Sequence, residues 1–366
     1  MVLFKIQSPN LMSSKKIINS IQFLRGIAAL AVVVHHTGGY VKRYFEPTVL
    51  LGDYFSIGFG GVDLFFVISG FIIHFTSEKY LDKPSKLGEY LKKRFVRVFP
   101  IHWFVLTFLF ASGWFITHIF HRNIFSIGYP HTLNAYLQTY TLFPLHFAIN
   151  PVTWTLSYEL FFYLIFALLI ISKRLWFIPL GILLVSGYNI YQNYLQDGGV
   201  AEMTYFKFIF SGYNFEFMLG FFIYQFYDKL QLNNILSIIL LIIGLSIFIK
   251  FGYEVSDFDN YKRLLFFGFP SALIVLAMLN LEKNQAISIP KFWILLGDAS
   301  YSLYLIHFPI MLLMNKLPQI LGYSISANQE VNYSYFIILT IVVSSIIIHK
   351  YIEKPLSKSV GRLMGI

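Results

Sequence analysis

The chain has 366 residues, of which 57% are hydrophobic and only 13% charged, and its mean hydropathy of +0.64 leaves too little polar surface for a soluble protein. It therefore reads as an all-α polytopic membrane protein. The absence of cysteine excludes a thiol nucleophile, disulfides and thiolate metal sites, and a formal net charge of +10, which in a soluble chain would suggest nucleic acid, must here first be sorted by side of the bilayer.

Apolar runs of about 20 residues are long enough to span. They predict ten transmembrane helices, near 17–38, 57–77, 98–120, 155–172, 175–192, 205–227, 233–250, 263–281, 293–315 and 333–351. The run at 205–227 is the weakest, because Lys207, Gly212 and Glu216 interrupt it. An even count places both termini on one side. With that side cytoplasmic, 20 of the 28 Lys and Arg fall inside, as the positive-inside rule requires. The expected organisation is a cytoplasmic segment 1–16, a membrane domain 17–355 and a cytoplasmic tail 356–366. A polar stretch before the first apolar run, and Arg25 within it, argue against a cleavable signal.

In the first helix, Arg25 and His36 flank an almost wholly aliphatic run, so they lie about 16 Å apart along the axis. A cation and an imidazole at such depth are costly unless they face protein or a wet cavity. His35 and His36 diverge by about 100° and cannot both face that cavity. The segment 78–97 is the most basic in the chain and ends in Arg94 and Arg97 on one helical face. It reads either as a topology anchor against anionic lipid or as a phosphate site, for which guanidinium is better suited than ammonium. The loop 121–154, containing His131 and His146, is the longest connection and reads as a lid or acceptor-binding element without a helix of its own.

Asp63, Glu159 and His307 also fall within spans. Each also has a structural reading, as a helix-terminal carboxylate, an amide cap and a packing histidine. With His36 they occupy the outer third of four spans, while Arg25 lies lower. His118 and His121 are spaced for a metal but lack a nearby carboxylate, and no metal site is expected.

These residues stand in runs that resemble the membrane acyltransferase-3 family, O-acyltransferases of cell-surface polysaccharides. The runs are Leu24 to Ala29 with the Arg-x10-His spacing that selects His36, Gly60 to Phe71, Lys93 to Pro100, Trp154 to Glu159 with Phe162 and Tyr163, Glu216 to Gly220, Gly297 to His307, and Tyr351 to Pro355. They keep the family's order. Many members have a second acidic residue after the one matching Glu159, where Leu160 stands here, and an outer esterase-like domain like that of two-part members is not expected. The resemblance implies a bacterial inner-membrane enzyme that needs no bound cofactor. Its co-substrate would be cytoplasmic acetyl-CoA or another acyl-CoA, its acceptor an extracytoplasmic hydroxyl of a surface polysaccharide or lipid-linked glycan, and nucleic acid would play no part.

On that resemblance, Arg25, Arg94 and Arg97 bind the donor. His36 is either the general base or a transient acyl carrier, with Asp63 or Glu159 fixing its tautomer. Ser157, Ser300, Tyr304 and His307 contact the acceptor or the oxyanion. The competing reading is a transporter or flippase whose buried charges line a path and make no bond.

Overall fold

The computed structural model describes residues 18–44, 56–119, 132–144, 149–195, 204–255, 260–323 and 325–366. The expected segment 1–16 and the expectations on His121, His131 and His146 lie outside the described residues. Among the described residues every regular element is helical: α1 Asn19–Tyr44, α2 Gly61–Ser77, α3 Leu87–Ile119, α4 Leu133–Thr141, α5 Trp154–Ile171, α6 Phe177–Leu195, α7 Tyr205–Ile209, α8 Tyr213–Phe226, α9 Asn234–Gly252, α10 Asn260–Arg263, α11 Phe269–Lys283, α12 Lys291–Asp298, α13 Ser300–Ile320, α14 Ala327–Ile348 and α15 Lys354–Leu363.

Among the described residues, seven helical segments are long and apolar enough to cross a membrane, namely Ser56–Tyr80, Pro84–Phe115, Pro151–Ile171, Lys173–Gln192, Asn234–Gly252, Tyr261–Lys283 and Gln329–Leu363. An eighth is formed if α12 and α13, bent by 69° at their junction, count as one span. The expectation of ten is thus higher than the structure supports. The expected span 17–38 is helical, but its polar content, from Gln22 and Arg25 to the His35–His36 pair, keeps it below that measure. The expected span 205–227 is two helices separated at Phe210–Gly212. Asn214 holds this break by donating from Nδ2 to Ile209 O (2.8 Å) and to Ser186 Oγ (2.9 Å), so the side chain takes up a carbonyl at the end of α7.

Two features fix where α1 begins and how closely it packs. Glu282, at the end of α11, accepts from the backbone N–H of Asn19 (2.9 Å) and Ser20 (2.8 Å), satisfying amides that have no intrahelical acceptor and placing negative charge at the helix N-terminus. Glycines then allow backbones to touch: a Cβ at Gly297 would lie 2.0 Å from Gln22 O, and one at Gly61 would lie 2.5 Å from Ala28 O. The tightest crossing is reciprocal. A Cβ at Gly70 in α2 would come 1.9 Å from Phe217 O, and one at Gly220 in α8 would come 1.8 Å from Val67 O. Small residues at such crossings are how helices associate where the hydrophobic effect between them is absent. Gly220→Val is therefore expected to separate α2 from α8 and to lower the thermal midpoint in detergent, while a surface change such as Gly181→Ala, which meets no neighbour, leaves it in place. Equal midpoints would mean that the crossing contributes nothing.

The long connection before α5 differs from its expectation. Within it, residues 133–141 form α4, started by Thr132 Oγ1 accepting from Ala135 N at 3.2 Å, an N-cap. It is fastened to α3 by Trp103 Nε1 donating to Tyr140 O (2.8 Å) and by the His102 ring at Thr139 O (3.2 Å). The described part of this loop is a docked helix.

Candidate active site

Where α1, α2, α3, α5 and α13 meet, they enclose a cavity with about 700 Å³ of empty space, part of it open to solvent. Its polar lining includes Arg25, Arg94, Arg97, Glu159 and Ser300; its walls include Phe66, Ile72 and Leu156. Three guanidiniums and one carboxylate are thus gathered among apolar helices, where isolated charge is expensive. Arg25 is 9% exposed and donates to Gln22 Oε1 at 3.0 Å, one turn back on its own helix. Arg94 is held firmly: its Nη2 donates to Thr76 Oγ1 (2.8 Å) and Ser77 Oγ (2.6 Å) at the end of α2, and its plane lies over the Tyr90 and Tyr163 rings. Glu159 accepts from Tyr163 OH and lies 3.8 Å from Arg97 Nε. Even so, 38% of the Arg97 side chain remains accessible, so this cation presents itself to whatever enters. The Ser300 hydroxyl has no hydrogen-bond partner among the described residues.

Phe65 and Tyr304, edge to face at 5.9 Å, also line this cavity, but His36 does not. The histidine lies further along α1 and packs with His307, which sits one turn beyond Tyr304 on α13. Their ring centroids are 5.1 Å apart, with His307 Nε2 3.2 Å from His36 Nδ1. His36 thus lies outside the cavity that Arg25 lines, and the ring of Tyr304, which does line it, is 5.7 Å from that of His307. A proline shapes this part of α13. Pro309 has no N–H, which frees the carbonyl of Leu305, and Asn150 Nδ2 donates to it at 2.8 Å, tying the loop before α5 to the histidine turn.

The carboxylates expected to orient His36 are directed elsewhere. Asp63, fully buried, accepts from Arg263 Nε (3.0 Å) and Nη2 (2.5 Å), and Glu159 belongs to the arginine cavity. Arg263 also lies over the Phe59 and Tyr213 rings. Glu216 lies close enough to act on this pair electrostatically, and its Oε2 has no hydrogen-bond partner among the described residues. Arg263 was not singled out in the sequence. The signal was there in Asp63 and Glu216, two acids in separate apolar segments that require a cation. A buried pair broken on one side leaves an uncompensated charge, at about 3–5 kcal/mol. Asp63→Asn is thus expected to lower the thermal midpoint markedly, and Asp63→Asn with Arg263→Gln to recover part of the loss. A single variant as stable as the parent would contradict this.

The other expected residues separate. Ser157 Oγ donates to Leu142 O at 2.9 Å and so secures the end of the α4 loop; it does not line the cavity. Tyr304 OH donates to Val152 O (3.2 Å) and accepts from Thr155 (3.0 Å), which fixes its ring. Glu353, in the run Tyr351 to Pro355, was not singled out. It receives Ser302 Oγ (2.6 Å) and the His349 ring (2.7 Å), in a π-helical turn that ties the end of α14 to α13.

Apolar helices closed around a cationic cavity, with an imidazole pair beyond it, form the candidate site. The acyltransferase domain family, acyltransferase family 3, matches residues 18–350, and the chain belongs to that family: it is a membrane O-acyltransferase. It is similar to the exopolysaccharide production protein ExoZ of Rhizobium meliloti (strain 1021), with 29% identity over 270 residues, covering 72% of this chain and 80% of ExoZ. It is also similar to the O-acetyltransferase OatA of Staphylococcus aureus (strain NCTC 8325 / PS 47), with 27% identity over 378 aligned positions covering 95% of this chain. The match spans 58% of the length of OatA. A putative acetyltransferase, ORF330, of Acidianus two-tailed virus is 25% identical over 310 residues, covering 82% of this chain and 84% of the viral protein. No solved structure matches the chain.

Proposed function

We propose that the protein takes an acyl group, most simply acetyl, from acyl-CoA on the cytoplasmic side of a bacterial inner membrane and transfers it to a hydroxyl of a surface glycan on the other side, with both termini cytoplasmic. The observation that carries the reading is the gathering of Arg25, Arg94 and Arg97 in one cavity whose remaining walls are largely apolar. Phosphates suit guanidiniums, and a pantetheine arm ending in a short acyl group suits the apolar walls and the unpartnered Ser300 hydroxyl. The names of ExoZ and OatA supply the acceptor class and the acetyl group.

In this mechanism Arg94 and Arg97 receive the donor's phosphates and Arg25 draws the arm inward. Phe65 turns away from the fixed Tyr304 ring to let the thioester reach the histidine level. His36 Nε2 takes the proton of the acceptor hydroxyl as its oxygen bonds to the thioester carbonyl carbon. When the C–S bond breaks, the proton passes to the departing sulfur, releasing the ester and free CoA thiol. In the two-step variant the same nitrogen carries the acyl group before the acceptor arrives. Glu159 keeps Arg97 in place, and Asp63 serves through the Arg263 pair.

Incubation of the purified protein with acetyl-CoA and a thiol reagent tests the reading. Release of free CoA on addition of a glycan acceptor is expected. No release with any acyl-CoA, under conditions where the protein is folded, would overturn it.

A further inference from the structure

We infer that His307 is a positioning residue that, with the Val32 carbonyl, holds His36 in one tautomer, in the place where a carboxylate usually orients a catalytic imidazole. The inference deepens the proposed role of His36 and rests on it.

His307 Nδ1 lies 2.7 Å from Tyr304 O, and a carbonyl oxygen only accepts, so Nδ1 of His307 carries the proton. The neutral ring then offers a lone pair at Nε2, which faces His36 Nδ1 at 3.2 Å. His36 Nδ1 must therefore be the protonated nitrogen. Val32 O, 3.0 Å from the same atom, is again only an acceptor and demands the same assignment. With Nδ1 protonated, the lone pair of His36 is at Nε2, the nitrogen that the proposed chemistry needs.

The surroundings hold this geometry. His307 is 1% exposed, and its turn of α13 is fixed by Asn150 on Leu305 O and by Tyr304 OH on Val152 O. Asp63 is taken by Arg263 and Glu159 by Tyr163 and Arg97. His307 thus does for His36 what neither carboxylate is placed to do. When His36 gains the acceptor's proton at Nε2, its Nδ1–H stays donated to the His307 lone pair, which stabilises the imidazolium while no proton leaves the pair.

Two variants and a spectroscopic signature separate this role from simple packing. His307→Phe keeps the ring but removes the acceptor, whereas His307→Gln places an amide oxygen where Nε2 stood. With both variants folded to the parent's thermal midpoint, kcat is expected to fall about 10²-fold in His307→Phe at unchanged donor KM, and to stay within about tenfold of the parent in His307→Gln. Equal rates in the two variants would overturn the inference. In 15N-histidine spectra of the parent protein without substrate, the resonance lost in His36→Ala is expected to show protonated Nδ1 and bare Nε2. The opposite tautomer would overturn it regardless of activity. If His36→Ala stays fully active while the spectrum is as expected, it is the proposed role of His36 that fails, and the tautomer assignment stands.

Discussion

His36→Ala is expected to lower acyl transfer by about 10²- to 10⁴-fold, the range that a positioned acid–base group contributes, while His35→Ala changes it by no more than a few-fold. The contrast comes from the turn of α1. His36 faces His307, whereas the His35 ring packs on Phe59 at 5.3 Å, the ring over which Arg263 lies. Both variants remove an imidazole of the same size from the same helix, so a loss specific to His36 reads chemistry and not helix stability. The measurement is labelled acyl product formed in membranes from matched amounts of each variant, with thermal midpoints taken alongside. Equal activity of His36→Ala and the parent would end the role assigned to that imidazole.

The second large effect is expected on donor binding. Arg97→Gln removes the cavity cation that keeps 38% of its side chain accessible. Hydrogen bonds to charged groups contribute about 1.5–3 kcal/mol, which corresponds to a donor KM roughly 10- to 100-fold higher, with kcat for bound donor little changed. Arg94→Lys should also weaken the donor despite keeping its charge, because an ammonium cannot reproduce the planar contact with Tyr90 and Tyr163 while donating to Thr76 and Ser77. Both effects should shrink with a donor lacking the nucleotide phosphates. An unchanged KM in Arg97→Gln would remove the cavity from the donor's path.

The sequence made the helices legible because apolar runs of span length leave few alternatives. It made the arginine cavity legible because Arg25, Arg94 and Arg97 sit near the same end of their helices. The glycines in the quoted runs gain a physical reason only in three dimensions: Gly61 and Gly297 lie where another backbone passes too close for a Cβ. Breaks were harder to read. The break at Phe210–Gly212 was marked only by Lys207, Gly212 and Glu216, and the bend before Ser300 had no mark, since hydropathy carries no information on axis direction. Pairings across the chain were hidden altogether. Asp63 and Arg263 are 200 positions apart, and His36 and His307 are 271 apart; with one sequence, only the requirement that buried charge find a partner hinted at the first. The place of Phe65 and Tyr304 in the site had no signal in a chain with 40 Phe and 25 Tyr.

Sided transfer tests the central claim most directly. With the protein in vesicles of one known orientation, acyl-CoA is supplied only on the side of Arg94 and Arg97 and a labelled glycan only on the opposite side, that of His36. Acylated glycan is expected in this arrangement, to be lost in His36→Ala, and to fall in Arg97→Gln at donor concentrations below its raised KM. Product formed only when donor and glycan share one side would contradict transfer through the protein.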